Sequence, residues 1–306
     1  MSTSCLICLG GIGDDSGYHA RCARQLFGAA KVPAIDIADG IVQEAGLAMV
    51  GNSSLSGVQK KISLKLSGDH RTLQIATHGG RYVLKPETEA FAHLPENEHT
   101  TMQLARIAKI ETARNGLLKV SGGKLAYITR RFDRREDGSK VRQEDFCQLA
   151  VKNPAQKYDG SAELCARIIR QFASEPGIEM LKLFRQLLFS WWVGNGDLHL
   201  KNLSLFVDDD GLIKLTPAYD LVSTALVIPN DKLALPILGR NQKIMRTTWL
   251  KFAEYAAIQE KAAARIMSDQ VKALPKSVEL IRGSYLFNAH KPELTQLLVH
   301  NTKILR

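Results

Sequence analysis

A chain of 306 residues, 45% of them apolar and 24% charged, has room for two cores and the make-up of an ordinary globular protein. No uninterrupted apolar run is long enough to span a bilayer, and Met1-Ser2-Thr3-Ser4 lacks the basic opening of a signal peptide. A cytoplasmic address with reduced thiols and no membrane partner is the expectation.

The net charge is +10, and residues 240–306 carry twelve Lys/Arg against five Asp/Glu. That basic end is read either as a solvated helical face or as a surface for nucleic acid or an acidic partner.

Residues 1–30 are expected as a small separate cap, rich in Gly and holding three of the five cysteines. Cys5-x2-Cys8-x10-His19-x2-Cys22 has the spacing of a structural zinc site, two close ligand pairs parted by a Gly-rich loop. A unit with so few large apolar residues also gains stability from a metal staple. The other reading is that these side chains pack without Zn2+.

Residues 31–132 follow as a mainly strand-forming lobe. Gly51-Asn52-Ser53-Ser54-Leu55-Ser56-Gly57-Val58-Gln59-Lys60-Lys61 precedes its first clear strand. Its glycines and backbone N–H groups suit a cover over nucleotide phosphates, although it is neither a Walker A nor a Gly-x-Gly-x-x-Gly sequence. A Ser-rich surface loop is the bland alternative. Ile62, Leu64 and Leu66 alternate with polar neighbours, as do Leu73 with Ile75 and Tyr82 with Leu84. One helix, about 97–109, interrupts the sheet with Met102, Leu104, Ala105 and Ala108 on its apolar side. Lys85 ends the strand Arg81-Tyr82-Val83-Leu84-Lys85, and Glu98 lies thirteen residues on, in the expected helix. A kinase needs such a pair, the lysine on the α/β-phosphates and the glutamate fixing it.

Residues 133–306 read as a helical lobe, with helices at about 143–152, 161–174, 178–193, 247–258, 260–273, 276–287 and 291–304. The third is apolar on nearly every side and leads directly into Asn195-Gly196-Asp197-Leu198-His199-Leu200-Lys201-Asn202. Two apolar strands around Asp208-Asp209-Asp210-Gly211 form a hairpin that ends near Asp220. Asp197 and Asn202 have the spacing of a protein-kinase catalytic loop, Asp-x-x-x-x-Asn. Asp197 is the expected base for a substrate hydroxyl. Asn202 and Asp220 are the expected ligands of the Mg2+ that bridges ATP phosphates, hard oxygens for a hard cation. His199 and Lys201 either contact the transferred phosphoryl group or brace the loop.

Taken together, the ordered motifs resemble the HipA-like serine/threonine kinase toxins of bacterial toxin–antitoxin systems. The carriers are Ser54 to Lys61, Tyr82-Val83-Leu84-Lys85-Pro86, Glu96-Asn97-Glu98, Arg131-Phe132-Asp133-Arg134, Gln143-Glu144-Asp145, Lys157-Tyr158, Asn195 to Asn202 and Ala218-Tyr219-Asp220. The resemblance implies an α+β, bilobal protein-kinase-like fold, with a mixed-sheet N-lobe and a mainly helical C-lobe. It implies ATP-dependent phosphorylation of an aminoacyl-tRNA synthetase and autophosphorylation at Ser54 or Ser56. It also places Ser54, Ser56, Gly57, Val58 and Gln59 over the nucleotide, with Arg131 and Phe132 lining the adenine pocket. In place of the extra N-terminal subdomain of full-length HipA, this chain has only the Cys/His cap. That brevity looks like the short HipT type, whose expected partners are a DNA-binding HipB-like antitoxin and a small HipS-like protein, with DNA contact through the antitoxin. The resemblance says nothing for zinc. Two alternatives stay open: a small-molecule kinase of the aminoglycoside or lipid-kinase type, and a non-catalytic regulator that binds DNA or a partner.

Overall fold

The computed structural model describes residues 4–13, 16–37 and 61–306. The segment holding Ser54, Ser56, Gly57, Val58 and Gln59 lies outside the described residues. The chain divides into two compact units. One comprises residues 1–103, 113–140 and 279–288; the other comprises 104–112, 141–278 and 289–306.

The first unit is built on a six-stranded sheet: β1 (Ala34–Asp36), β2 (Ile62–Leu66), β3 (Thr72–Ile75), β4 (Tyr82–Lys85), β5 (Asn115–Lys119) and β6 (Leu125–Arg130). Its spatial order is β1-β3-β2-β4-β6-β5, antiparallel throughout except for the β1–β3 pair. The expected period of two is visible in β2 and β4, where Ile62, Leu64, Tyr82 and Leu84 are all buried. Helix α1 (Ala20–Phe27) closes one side of that core. Cys5, Ile7, Cys22, Leu26 and Phe27 are buried in one cluster with Leu64, Leu73 and Ile128 of the sheet. The cap, expected as a separate unit, thus shares its apolar interior with the strands, because it has too few large side chains to enclose a core alone. Helix α2 (Leu94–Ile107) starts three residues before the expected bound, with Pro95 in its first turn, so Glu98 falls in the second turn. His99 Nδ1 and Gln103 Nε2 both meet Asn115 Oδ1, at 3.0 and 3.1 Å, tying this helix to β5.

The second unit is mostly helical. Residues 143–152, expected as one helix, are instead strand β7 (Gln143–Asp145) followed by the single-turn α3 (Phe146–Leu149). Asp145 and Gln148 form a reciprocal capping box that starts the turn, and β7 is recruited by pairing with a distant strand. Helix α4 (Ala162–Phe172) packs on α5 (Pro176–Trp192). Leu183, Phe184, Leu188, Phe189 and Trp192 of α5 are fully buried, as its all-round apolarity requires. The expected hairpin is β8 (Ser204–Val207) and β9 (Ile213–Leu215), which with β7 makes a three-stranded sheet in the order β7-β8-β9. Glu179 of α5 is also wholly buried. One carboxylate oxygen accepts Leu215 N–H at 2.8 Å, and the other meets Lys182 Nζ at 2.8 Å, so the helix positions β9.

Helices α6 (Arg246–Tyr255), α7 (Glu260–Gly283) and α8 (His290–Leu305) complete the chain. The sequence reading breaks α7 in two near Pro275, yet the helix runs through that residue. Buried Ala273 and Ile281 on either side of the proline hold the two halves in one element.

Candidate active site

Helix α5 ends at Trp192, and Gly194 turns the chain at φ 67, a left-handed conformation that favours glycine. A methyl group there would lie 2.7 Å from Ala225 Cβ, so the turn also requires the absence of a side chain. Asn195 Oδ1 accepts the Asp197 N–H at 3.0 Å, and Ser223 Oγ donates to Val193 O at 2.6 Å. Both bonds close the loop that presents Asp197.

Asp197 Oδ1 accepts a 2.6 Å hydrogen bond from Tyr158 OH. Burial raises the carboxyl above its ordinary range. Tyr158 and nearby Lys157 oppose that rise, while Asp220 and Asp231 add repulsion. Asp220 and Asp231 thus lie near enough to act on the charge of Asp197. Asn202 closes a 3₁₀ turn (Leu200–Asn202), and its Nδ2 donates to Asp197 O at 3.1 Å. That bond fixes the amide so that Oδ1 is the face left as an acceptor, as a hard-metal ligand requires.

Asp220 stands at φ 53, a sparsely populated region for a side-chain-bearing residue. Its predecessor holds it to the loop: Tyr219 OH lies 2.9 Å from Lys201 O and 2.6 Å from Ser204 Oγ. The Asp220 carboxylate, distant in sequence, is thus brought to the loop that carries Asp197 and the Asn202 amide. The Asp220 carboxylate and the oriented Asn202 amide oxygen are hard donors of the kind that fits Mg2+.

Of the two roles expected of Lys201, bracing has a partner: its Nζ lies 2.7 Å from Asp145 Oδ2, which pins the loop to the end of β7. His199 is buried, with its ring edge-on to Tyr158 at 5.1 Å between centroids. Lys85 and Glu98, both in the first unit, form a 2.6 Å ion pair with each side chain only 4% exposed. Lys85 Nζ also sits 5.3 Å from the centre of the Tyr127 ring. Arg131 forks onto Asp133 through Nε and Nη2 at 2.8 and 2.6 Å, next to Phe132.

Three contributors carry no role in the sequence reading. Tyr158 is noticed there only as part of a motif. Thr224 Oγ1 accepts Gly196 N–H at 2.6 Å and itself bonds to Asp231, which stands over Gly196. Asp231 lies 34 positions past Asp197, beyond any local spacing rule.

A family profile described as the HipA-like C-terminal domain matches residues 53–278. A putative kinase of Haemophilus influenzae is 30% identical over 205 residues, covering 62% of this chain and 59% of its own. The serine/threonine-protein kinase toxin HipA of Shewanella oneidensis is 29% identical over 189 residues, covering 56% of this chain and 43% of its own. The chain spans less than two thirds of the length of the curated relatives it matches.

Among solved structures, Shewanella oneidensis HipA, seen in complex with HipB and operator DNA, superposes with a TM-score of 0.69 at 23% identity. That match covers 82% of this chain and 65% of the other. The Helicobacter pylori proinflammatory kinase CtkA superposes with a TM-score of 0.56 at 12% identity, covering 81% of this chain and 90% of its own. The α+β, kinase-like fold expected from sequence is therefore the fold of this chain. With a profile match over residues 53–278, the chain belongs to the family of the HipA-like C-terminal domain.

Proposed function

We propose that the chain is an ATP- and Mg2+-dependent serine/threonine protein kinase that acts as the toxin of a toxin–antitoxin system. The observation that carries this reading is Asp197 and Asn202 on one loop with Asp220 close by, the Asn202 amide oriented by the Asp197 carbonyl. Asp197 accepts the proton of a substrate serine or threonine hydroxyl. The oxygen then bonds to the γ-phosphorus as the bond from that phosphorus to the ADP oxygen breaks. Asn202 and Asp220 hold Mg2+, which when bound neutralises charge on the phosphates. Lys85, fixed by Glu98, binds the α/β-phosphates, and Arg131 and Phe132 line the adenine site. Tyr158 steadies the Asp197 carboxylate, and Lys201 holds the loop to Asp145.

The target is an aminoacyl-tRNA synthetase, and the partners are separate antitoxin proteins, a DNA-binding one among them. The kinase names of the relatives support the activity, and the HipA–HipB–DNA complex supports the partners. Ser54 or Ser56 is the site of autophosphorylation, where a phosphate adds close to two negative charges beside the triphosphate and switches the enzyme off.

The test is transfer from radiolabelled ATP to a panel of aminoacyl-tRNA synthetases, alongside aminoglycosides and inositol lipids, with mass spectrometry of the enzyme itself. Label on a synthetase and on Ser54 or Ser56, both lost in Asp197→Asn, is the expected result. Transfer to small molecules alone would overturn the protein-kinase reading. Growth arrest undiminished by Asp197→Asn would overturn catalysis as its cause.

A further inference from the structure

The side chains of Cys5, Cys8, His19 and Cys22 approach one another from two short pieces of chain. Their ligand atoms all lie within 4.8 Å of each other, the one cluster of three or more such residues among those described. Four ligands at tetrahedral Zn2+ bond lengths stand roughly 3.5–3.8 Å apart. His19 Nδ1 is 3.3 Å from Cys8 Sγ and 3.8 Å from Cys22 Sγ, so these pairs already stand close to that spacing.

The histidine's tautomer follows from its other nitrogen. Nε2 lies 3.0 Å from Gly11 O, a carbonyl that can only accept, so Nε2 carries the hydrogen and Nδ1 turns a lone pair toward the sulfurs. A backbone carbonyl holding the far side of a ligating imidazole is the usual outer support of a zinc histidine.

Backbone N–H groups meet the sulfur of Cys5: those of Ile7 and His19 both point at Sγ, at 3.5 and 3.4 Å. Cys5-x2-Cys8 lies on a tight turn closed by Cys5 N–H to Gly10 O at 2.8 Å and Leu9 N–H to Cys5 O at 2.9 Å. Leu9 takes φ 59 to make that turn. Cys22 falls in the first turn of α1, which brings its side chain in from the second of the two chain pieces. A disulfide would use two sulfurs and leave a third thiol and an aimed imidazole without purpose.

We propose that Cys5, Cys8, His19 and Cys22 form a tetrahedral structural zinc site that holds the N-terminal cap in place on the first unit. Four protein ligands leave no position for water or substrate, so the ion acts on stability and not in chemistry. Its mechanical role is read from what the turn reaches. Leu6 O accepts Leu117 N–H at 2.7 Å, and Tyr18 OH donates to Leu117 O at 3.1 Å, so the cap covers the outer edge of β5. Ser4 Oγ donates to Gly283 O at 2.8 Å, joining the same turn to the 279–288 segment of that unit. Zinc loading thereby protects a sheet edge that would otherwise be open to pairing with other chains.

The experiment uses the full chain purified under reducing conditions and reads metal, not phosphotransfer, so it stands or falls apart from the kinase proposal. Elemental analysis is expected to give about one zinc per chain. Cobalt substitution is expected to give intense tetrahedral d–d bands with thiolate charge-transfer absorption. Chelation lowers the melting temperature, and zinc restores it. Cys8→Ser removes the zinc. Should that variant fail to fold, His19→Cys keeps the metal but shifts the cobalt bands to those of four sulfurs. A folded chain without zinc and silent with cobalt would overturn the proposal, as would a disulfide among these cysteines in that reduced protein.

Discussion

Asp197 is held in a surrounding that works against its own charge. Burial and the neighbouring carboxylates of Asp220 and Asp231 raise its proton affinity, and the Tyr158 hydroxyl only partly offsets them. An acid whose folded-state pKa is raised binds its proton more tightly folded than unfolded. Ionising it therefore subtracts stability, fully so above the folded pKa and less as pH falls through that value toward the ordinary carboxylate range. Asp197→Asn, the variant expected to abolish phosphotransfer, should accordingly melt at a higher temperature than the parent near neutral pH. The gain should shrink in acid, and paired thermal melts across pH measure it. A variant that melts lower at neutral pH would show that the Asp197 carboxylate contributes contacts worth more than its burial costs. At this scale the sequence was readable where spacing is local: Asp197 with Asn202, and Cys5 with Cys8. Tyr158 and Asp231 reach the same carboxylate from 39 and 34 positions away, and only folding reveals such partners.

Elements were legible in proportion to how much their own residues decide. Helix α5 announces itself through apolar side chains on every face, and β8–β9 through a Gly-ended acidic turn, with Gly211 at φ 80. Strand β7 does not, because Gln143-Glu144-Asp145 has no strand pattern and extends only by pairing with Phe206, Leu205 and Ser204. Helix α7 was misread for the opposite reason: Pro275 is a local stop signal that tertiary burial overrides. The join between α5 and the loop is an element boundary sensitive to substitution. Gly194→Ala introduces a methyl group into the 2.7 Å gap beside Ala225 and holds alanine at φ 67. The expected loss is about 2–3 kcal/mol in denaturant unfolding, from left-handed strain plus overpacking. An unchanged unfolding midpoint would mean that the turn relaxes freely, and that its geometry does not depend on glycine.

At the scale of the molecule, the proposed function makes stability and nucleotide binding rest on some of the same groups, and the Lys85–Glu98 pair allows them to be separated. Both side chains are nearly sealed from water and stand 2.6 Å apart. Removing one partner strands the other's charge in the interior, at a cost of about 3–5 kcal/mol, whereas replacing both with apolar residues of similar volume is close to neutral. Lys85→Met alone should therefore unfold well before the parent, and Lys85→Met/Glu98→Leu should recover most of that loss. Nucleotide behaves differently. Under the proposed function, ATP with Mg2+ at a hundredfold excess over Kd adds about 2.7 kcal/mol to the parent. The double variant should gain almost none of it, because its phosphate-binding ammonium is gone. Thermal melts of the three proteins, with and without ATP and Mg2+, give all the needed comparisons. A double variant that is stable and still stabilised by nucleotide would leave the buried pair as architecture alone and move phosphate binding to other residues.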